Sequence, residues 1–214
     1  MTTLDDLWAA GGTVEEYGRG YSGYVTQLLK QVDVATLSAW AGQLESACRK
    51  GRAIFCAGNG GSAATAAHFT TDLTWGRGLT AERAPRAISL VGQAPLMTAV
   101  ANDAGYPEIF LEQLRRLFQP GDALVVISAS GNSDNLMRAV DYVNRHRGIT
   151  LGLVGFDGGR LKSLCHACVH VETKVGDYEP VEDVHHIICH LVASYVKRKV
   201  MCQAPSAILT ESLP

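Results

Sequence analysis

The sequence predicts an α/β fold, a doubly wound parallel five-stranded sheet flanked by helices and preceded by N-terminal helices. Three observations carry that expectation. Five short apolar runs alternate with helix-like segments, as strands buried on both faces require. The 22 glycines suit a chain with many tight turns. Two of the strand-to-helix junctions are rich in glycine and serine, where such sheets place ligand loops.

The elements follow in order. Tyr21–Val32 and Ala35–Arg49 carry apolar residues at three- and four-residue spacing, with Gly11-Gly12 and Asp33 as breaks. Trp40 and Leu44 lie on that stripe and are assigned to packing. Strands are expected at Ala53–Cys56, Arg86–Leu90, Ala123–Ile127, Thr150–Val154 and Ala167–Val171. Helices are expected at Ser62–Thr74, Ala94–Ala101, Ile109–Leu117, Ser133–His146 and Gly159–Leu164, with a long last one from about Val181 to Lys199. The polar end, Gln203–Pro214, reads as a mobile tail. This divides the chain into an N-terminal helical segment (1–50) for packing or oligomerisation, a central α/β domain (51–200) and the tail (201–214).

Ser128-Ala129-Ser130-Gly131-Asn132-Ser133 follows a buried strand and opens a helix. The first amides of a helix lack partners and its dipole favours an anion, while serine hydroxyls add donors. No lysine or arginine lies in the turn, so it suits a small phosphorylated metabolite held by neutral groups. Gly58-Asn59-Gly60-Gly61-Ser62 repeats the arrangement ahead of an alanine-rich helix, with Ser62 as the expected cap. It is neither a dinucleotide fingerprint nor a P-loop. The two turns suggest one ligand gripped from two sides.

Composition narrows the classes. The 214 residues suit one domain, and 19 basic against 21 acidic residues leave no basic block for direct nucleic-acid binding. No secretory leader or membrane-spanning run is expected, which points to a cytoplasmic protein with no membrane partner. Its six cysteines are scattered through apolar segments and read as free thiols. Cys165-His166-Ala167-Cys168-Val169-His170 lacks the second ligand pair of a structural zinc site and alternates like a strand.

His68 and Asp72 share a helix face at four-residue spacing, just beyond the first loop. On the last helix Glu182, His186 and His190 fall on one side; Val184, Ile187, Ile188, Leu191 and Tyr195 are assigned to the other. Two imidazoles and two carboxylates from His68, Asp72, Glu182 and His190 suit a divalent metal or proton transfer near neutral pH. His146, His166 and His185 are read as structural or exposed.

In this order of residues, with Asn102-Asp103 between the two loops, the chain resembles the sugar isomerase (SIS) domain family and, within it, the phosphoheptose isomerases. The resemblance spans roughly 32–199. It implies phosphate contacts from Ser128, Ser130 and Ser133 in the 128–133 loop that also holds Ala129. It puts Ser62, Asn59, Gly60 and Gly61 beside the sugar, and Asn102 and Asp103 on substrate hydroxyls. It also implies zinc on His68, Asp72, Glu182 and His190, acid/base work by Asp72 and His190, and a homotetramer. Three positions depart from the family pattern: Ala129 for a threonine, Asp72 for a glutamate and Glu182 for a glutamine.

The implied reaction is aldose–ketose isomerisation of sedoheptulose 7-phosphate to D-glycero-D-manno-heptose 7-phosphate through an enediol. The alternative is a non-enzymatic SIS protein, either a sugar-phosphate sensor or one similar to the bacterial DnaA-binding replication-initiation factor. That factor lacks the terminal histidine, which is present here as His190.

Overall fold

A computed structural model of the chain describes residues 2–76, 79–81 and 83–202. The expected tail at 203–214 lies outside the described residues. Three helices come first: α1 (Leu4–Ala10), α2 (Val14–Gln31) and α3 (Val34–Arg49). Then follow β1 (Ala53–Gly58), α4 (Gly60–Thr74), β2 (Arg86–Ser89), α5 (Ala94–Ala104) and α6 (Leu111–Leu117), with one 3-10 turn at Tyr106–Glu108. The rest is β3 (Ala123–Ser128), α7 (Asp134–Arg145), β4 (Ile149–Val154), α8 (Leu161–Leu164), β5 (Ala167–His170) and α9 (Tyr178–Met201).

The five strands form one sheet in the order β2-β1-β3-β4-β5, every neighbour parallel. β1 and β3 are buried along their whole length, which explains their unbroken apolar runs. Alternate strand residues feed two cores. Ile54, Cys56, Val125, Ile127, Leu151 and Leu153 pack on one face with Trp40, Leu44, Phe69, Val184, Ile188 and Val192. Phe55, Leu124, Val126 and Val154 pack on the other with Leu114, Leu136, Val140 and Leu161. Trp40 is fully buried, its ring 6.0 Å from that of Phe69.

The helices of the N-terminal segment open on capping boxes, Thr3 with Asp6 in α1 and Thr13 with Glu16 in α2, readable as a hydroxyl followed three residues later by an acid. Two expectations need correction. Ser62 does not cap α4, which begins at Gly60 behind Asn59, so Ser62 is its third residue and buried. The apolar residues of α9 do not form one side. Val184, Ile188 and Val192 face the core with buried His185, whereas Ile187, Leu191 and Tyr195 remain 39%, 50% and 43% exposed.

Candidate functional site

The strand order reverses between β1 and β3, the two neighbours from which the chain runs outward in opposite directions. Loops leaving the C-terminal ends of such strands diverge and leave a crevice between them. Here those loops are the two glycine–serine turns. Asn59, Gly60, Gly61, Ser62, Ser128, Ala129, Ser130 and Ser133 line one cleft of about 270 Å³, with Tyr178 and Glu182 from α9 on its far wall. Two helices, α4 and α7, thus begin at one crevice with unpaired amides toward it.

The serine turn is held rigidly. Gly131 adopts φ 64°, and the Gly131 amide donates to Ser128 Oγ at 3.0 Å. Ser130 Oγ accepts from the Asn132 amide at 3.3 Å. The turn after β4 braces it: the Leu161 amide donates to the Gly131 carbonyl at 2.9 Å, and the Arg160 amide to Asn132 Oδ1 at 3.0 Å. A Cβ on Gly131 would overlap the Gly158 carbonyl. The conformation therefore needs glycine twice over, for φ and for space.

The opposite loop is fixed by a pair of amides. Asn59 Nδ2 donates to Asn135 Oδ1 at 3.0 Å, and Asn135 Nδ2 returns a bond to Asn59 Oδ1 at 2.9 Å. The Tyr106 hydroxyl donates to the same Asn59 oxygen at 2.8 Å. Asn135, Tyr106 and Tyr178 were missed in the sequence, where each looks like an ordinary helix or turn residue. Asn135 is buried in the second position of α7, a placement set by packing and not by sequence pattern. Asn102 and Asp103 sit at the end of α5, where Asn102 Nδ2 donates to Asp103 Oδ1 at 2.8 Å. They are not among the residues lining the cleft.

The ionisable residues divide into two places. The Glu182 carboxylate rests in the space a Cβ on Gly61 would fill. Burial there, with Glu179 and Asp183 nearby, raises its carboxyl above the usual range. The second place is the seam between α4 and α9. His68 Nε2 and His190 Nε2 lie 2.9 Å apart, and Asp72 Oδ2 is 3.5 Å from the first and 3.4 Å from the second. His186 completes the group: one ligand atom from each of His68, His186 and His190 falls within 4.8 Å of the others. Burial, then His190 and His68, lowers the His186 pKa. The donors at the seam, three imidazoles and a carboxylate, fit a borderline divalent cation.

Two phosphate-sized turns at a sheet's switch point define an α/β protein built to bind a small anionic ligand. The profile of the SIS domain family matches residues 16–155. The chain is 38% identical over 158 residues to a phosphoheptose isomerase of Pelobacter propionicus, covering 74% of this chain and 82% of that protein. It is 35% identical over 196 residues to one of Chlorobium phaeobacteroides, covering 91% and 81%. The phosphoheptose isomerase structure from Francisella tularensis superimposes with a TM-score of 0.76 at 26% identity, covering 92% of this chain and 100% of that one. The chain belongs to the SIS domain family, in its phosphoheptose isomerase branch.

Proposed function

We propose that the chain isomerises sedoheptulose 7-phosphate to D-glycero-D-manno-heptose 7-phosphate. The observation that carries this reading is the convergence of both glycine–serine turns on one cleft entered by the Glu182 carboxylate, in a chain whose relatives bear the name phosphoheptose isomerase. The 7-phosphate docks on the amides and hydroxyls of Ser128, Ser130 and Ser133, which suit an anion without a countercharge. Asn59 and Ser62 address the sugar chain, with Asn102 and Asp103 assigned to its hydroxyls by resemblance.

Isomerisation moves one proton between adjacent carbons and another between their oxygens. Asp72 and His190 are the proposed carriers, a carboxylate and an imidazole suited to transfer near neutral pH. His68, Asp72, Glu182 and His190 are the proposed zinc ligands, and an ion held there would supply a Lewis acid for the sugar carbonyl. Because Asp72 and His190 would serve both roles, that ion would be labile, with one of the two free to carry a proton.

The chain is further proposed to act as a homotetramer in the cytoplasm. The half-exposed Ile187, Leu191 and Tyr195 on α9 support the assembly, being large apolar groups on a face that the described residues leave partly uncovered. Among the described residues no helix is long and apolar enough to cross a membrane.

The test is conversion of sedoheptulose 7-phosphate by purified protein, with and without zinc, followed by chromatography of the heptose phosphates. Turnover is expected. Tight binding of the sugar phosphate with no turnover would favour a sensor instead.

A further inference from the structure

We propose that Tyr178 is a phosphate-contacting residue of the cleft and that Phe156 is the residue that positions it. The inference rests on the isomerase reading only in taking the serine turn as the seat of a phosphate. Phe156 lies in the turn after β4 with φ 47°. A bulky side chain rarely adopts left-handed backbone. Gly155, Gly158 and Gly159 surround it, so a glycine at this position would fit the turn without strain. A phenylalanine kept there points to a task for its ring.

The backbone around that ring is tied down on both sides. The Gly155 amide donates to the Ser128 and Ala129 carbonyls at 3.2 and 3.0 Å, which joins the turn to the serine loop. Lys162 Nζ donates to His170 Nδ1 at 3.1 Å, and an ammonium has only protons to give. The proton of His170 is therefore on Nε2, which donates to the Phe156 carbonyl at 2.9 Å. The same carbonyl accepts from the Thr173 amide at 3.3 Å.

The Phe156 ring, 2% exposed, packs on Ala129 and Val181. Ala129, where the family pattern has a threonine, gives it an apolar neighbour. Its other contact is the Tyr178 ring, 4.9 Å away and nearly perpendicular at 78°, a geometry that aromatic pairs favour. Tyr178 is half-exposed and lines the cleft. Its hydroxyl makes no hydrogen bond among the described residues. Tyr178 and Glu182 are one helical turn apart and so share a face of α9. Glu182 reaches Gly61 in the glycine turn, whereas Tyr178 stands on Phe156 beside Ala129 of the serine turn. A phenol at that end adds one more neutral donor to an anion already held by amides and hydroxyls.

Inorganic phosphate is the probe, titrated calorimetrically into full-length protein. Tyr178→Phe removes a donor to a charged group and should weaken phosphate at least about tenfold, with the circular dichroism spectrum and urea midpoint kept. Phe156→Leu should weaken it about two- to tenfold. In the Tyr178→Phe background the same change should cost no further affinity, an outcome that a purely structural role would not give. A crystal structure of the wild-type phosphate complex supplies a check free of mutation, with Tyr178 Oη expected about 3 Å from a phosphate oxygen. Wild-type phosphate affinity in Tyr178→Phe, additive losses in the double variant, a bound phosphate out of reach of Tyr178, or no phosphate binding by wild type would each overturn the proposal. Sedoheptulose 7-phosphate turnover is assayed separately, so a protein that binds phosphate as described but converts no heptose phosphate refutes the reaction and not the contact.

Discussion

The cleft and the seam are opposite solutions to holding a ligand. The cleft presents backbone amides, hydroxyls and glycines fixed by loop geometry, and among the described residues the one carboxylate on its wall is Glu182. The seam presents side chains alone, imidazoles and a carboxylate brought together because α4 packs on α9. Backbone donors cannot be removed by substituting a side chain, whereas an imidazole can. Part of the affinity for the phosphate should therefore survive any side-chain change, whereas the chemistry of the seam does not.

The largest effect separates the two regions outright. His190→Ala should lower kcat by about 10²–10⁴-fold, the usual contribution of a positioned acid/base group, with KM and phosphate affinity little changed. Steady-state kinetics beside inorganic-phosphate titration makes the check, and a loss confined to KM would erase the division of labour. Next comes the double change of Ser130 and Ser133 to alanine. It removes two donors to a charged group, roughly 1.5–3 kcal/mol each, so sugar-phosphate affinity should fall by orders of magnitude while the circular dichroism spectrum is kept.

A smaller effect probes the scaffold of the cleft. Gly131→Ala forces a side chain into a left-handed position against the Gly158 carbonyl, and should cost about 1–3 kcal/mol in urea unfolding. Unchanged stability would mean the turn is not held by its backbone.

An effect of similar size lies under the seam. His185 is buried against the core, near the Val154 carbonyl but without a well-formed hydrogen bond. Burial, the main cause, pushes its pKa down from 6.5 to about 4. The unfolded chain takes up a proton below pH 6.5 that the folded chain refuses until about pH 4. Stability from this group is thus present at neutral pH and drains away between those values, by on the order of 3 kcal/mol in full. Urea midpoints measured from pH 7 to pH 4 should fall, and His185→Leu should flatten that slope. An unaltered slope in the variant would assign the loss to other groups.

The two regions also differed in how far the sequence revealed them. The strands were legible because a parallel sheet buried on both faces demands continuous apolar runs such as Ala123–Ile127. Both turns were legible because glycine and serine at a strand end leave few other readings. The seam was half legible: spacing puts His68 with Asp72, and Glu182, His186 and His190 on one side of α9. Which of those reaches the partner helix depends on the crossing of two helices, a tertiary fact, so the approach of the His186 ring to His68 was not legible. The exposed Ile187, Leu191 and Tyr195 were misread for a related reason, since one helix with two apolar faces has the same composition as one with a broad face.

The amide of Asn59 carries a consequence for which ligand atoms the cleft can read. The Leu136 amide donates to Asn135 Oδ1 at 2.9 Å, which identifies that atom as an oxygen and so fixes which way round both amides lie. Asn59 Oδ1 then spends both lone pairs, on Asn135 and on Tyr106. One hydrogen of its nitrogen goes to Asn135. A single N–H valence is left over, so at this wall Asn59 acts as a donor only. It can meet a carbonyl, an ether or an ionised oxygen of an incoming molecule, and has nothing to offer a group that must itself give a proton.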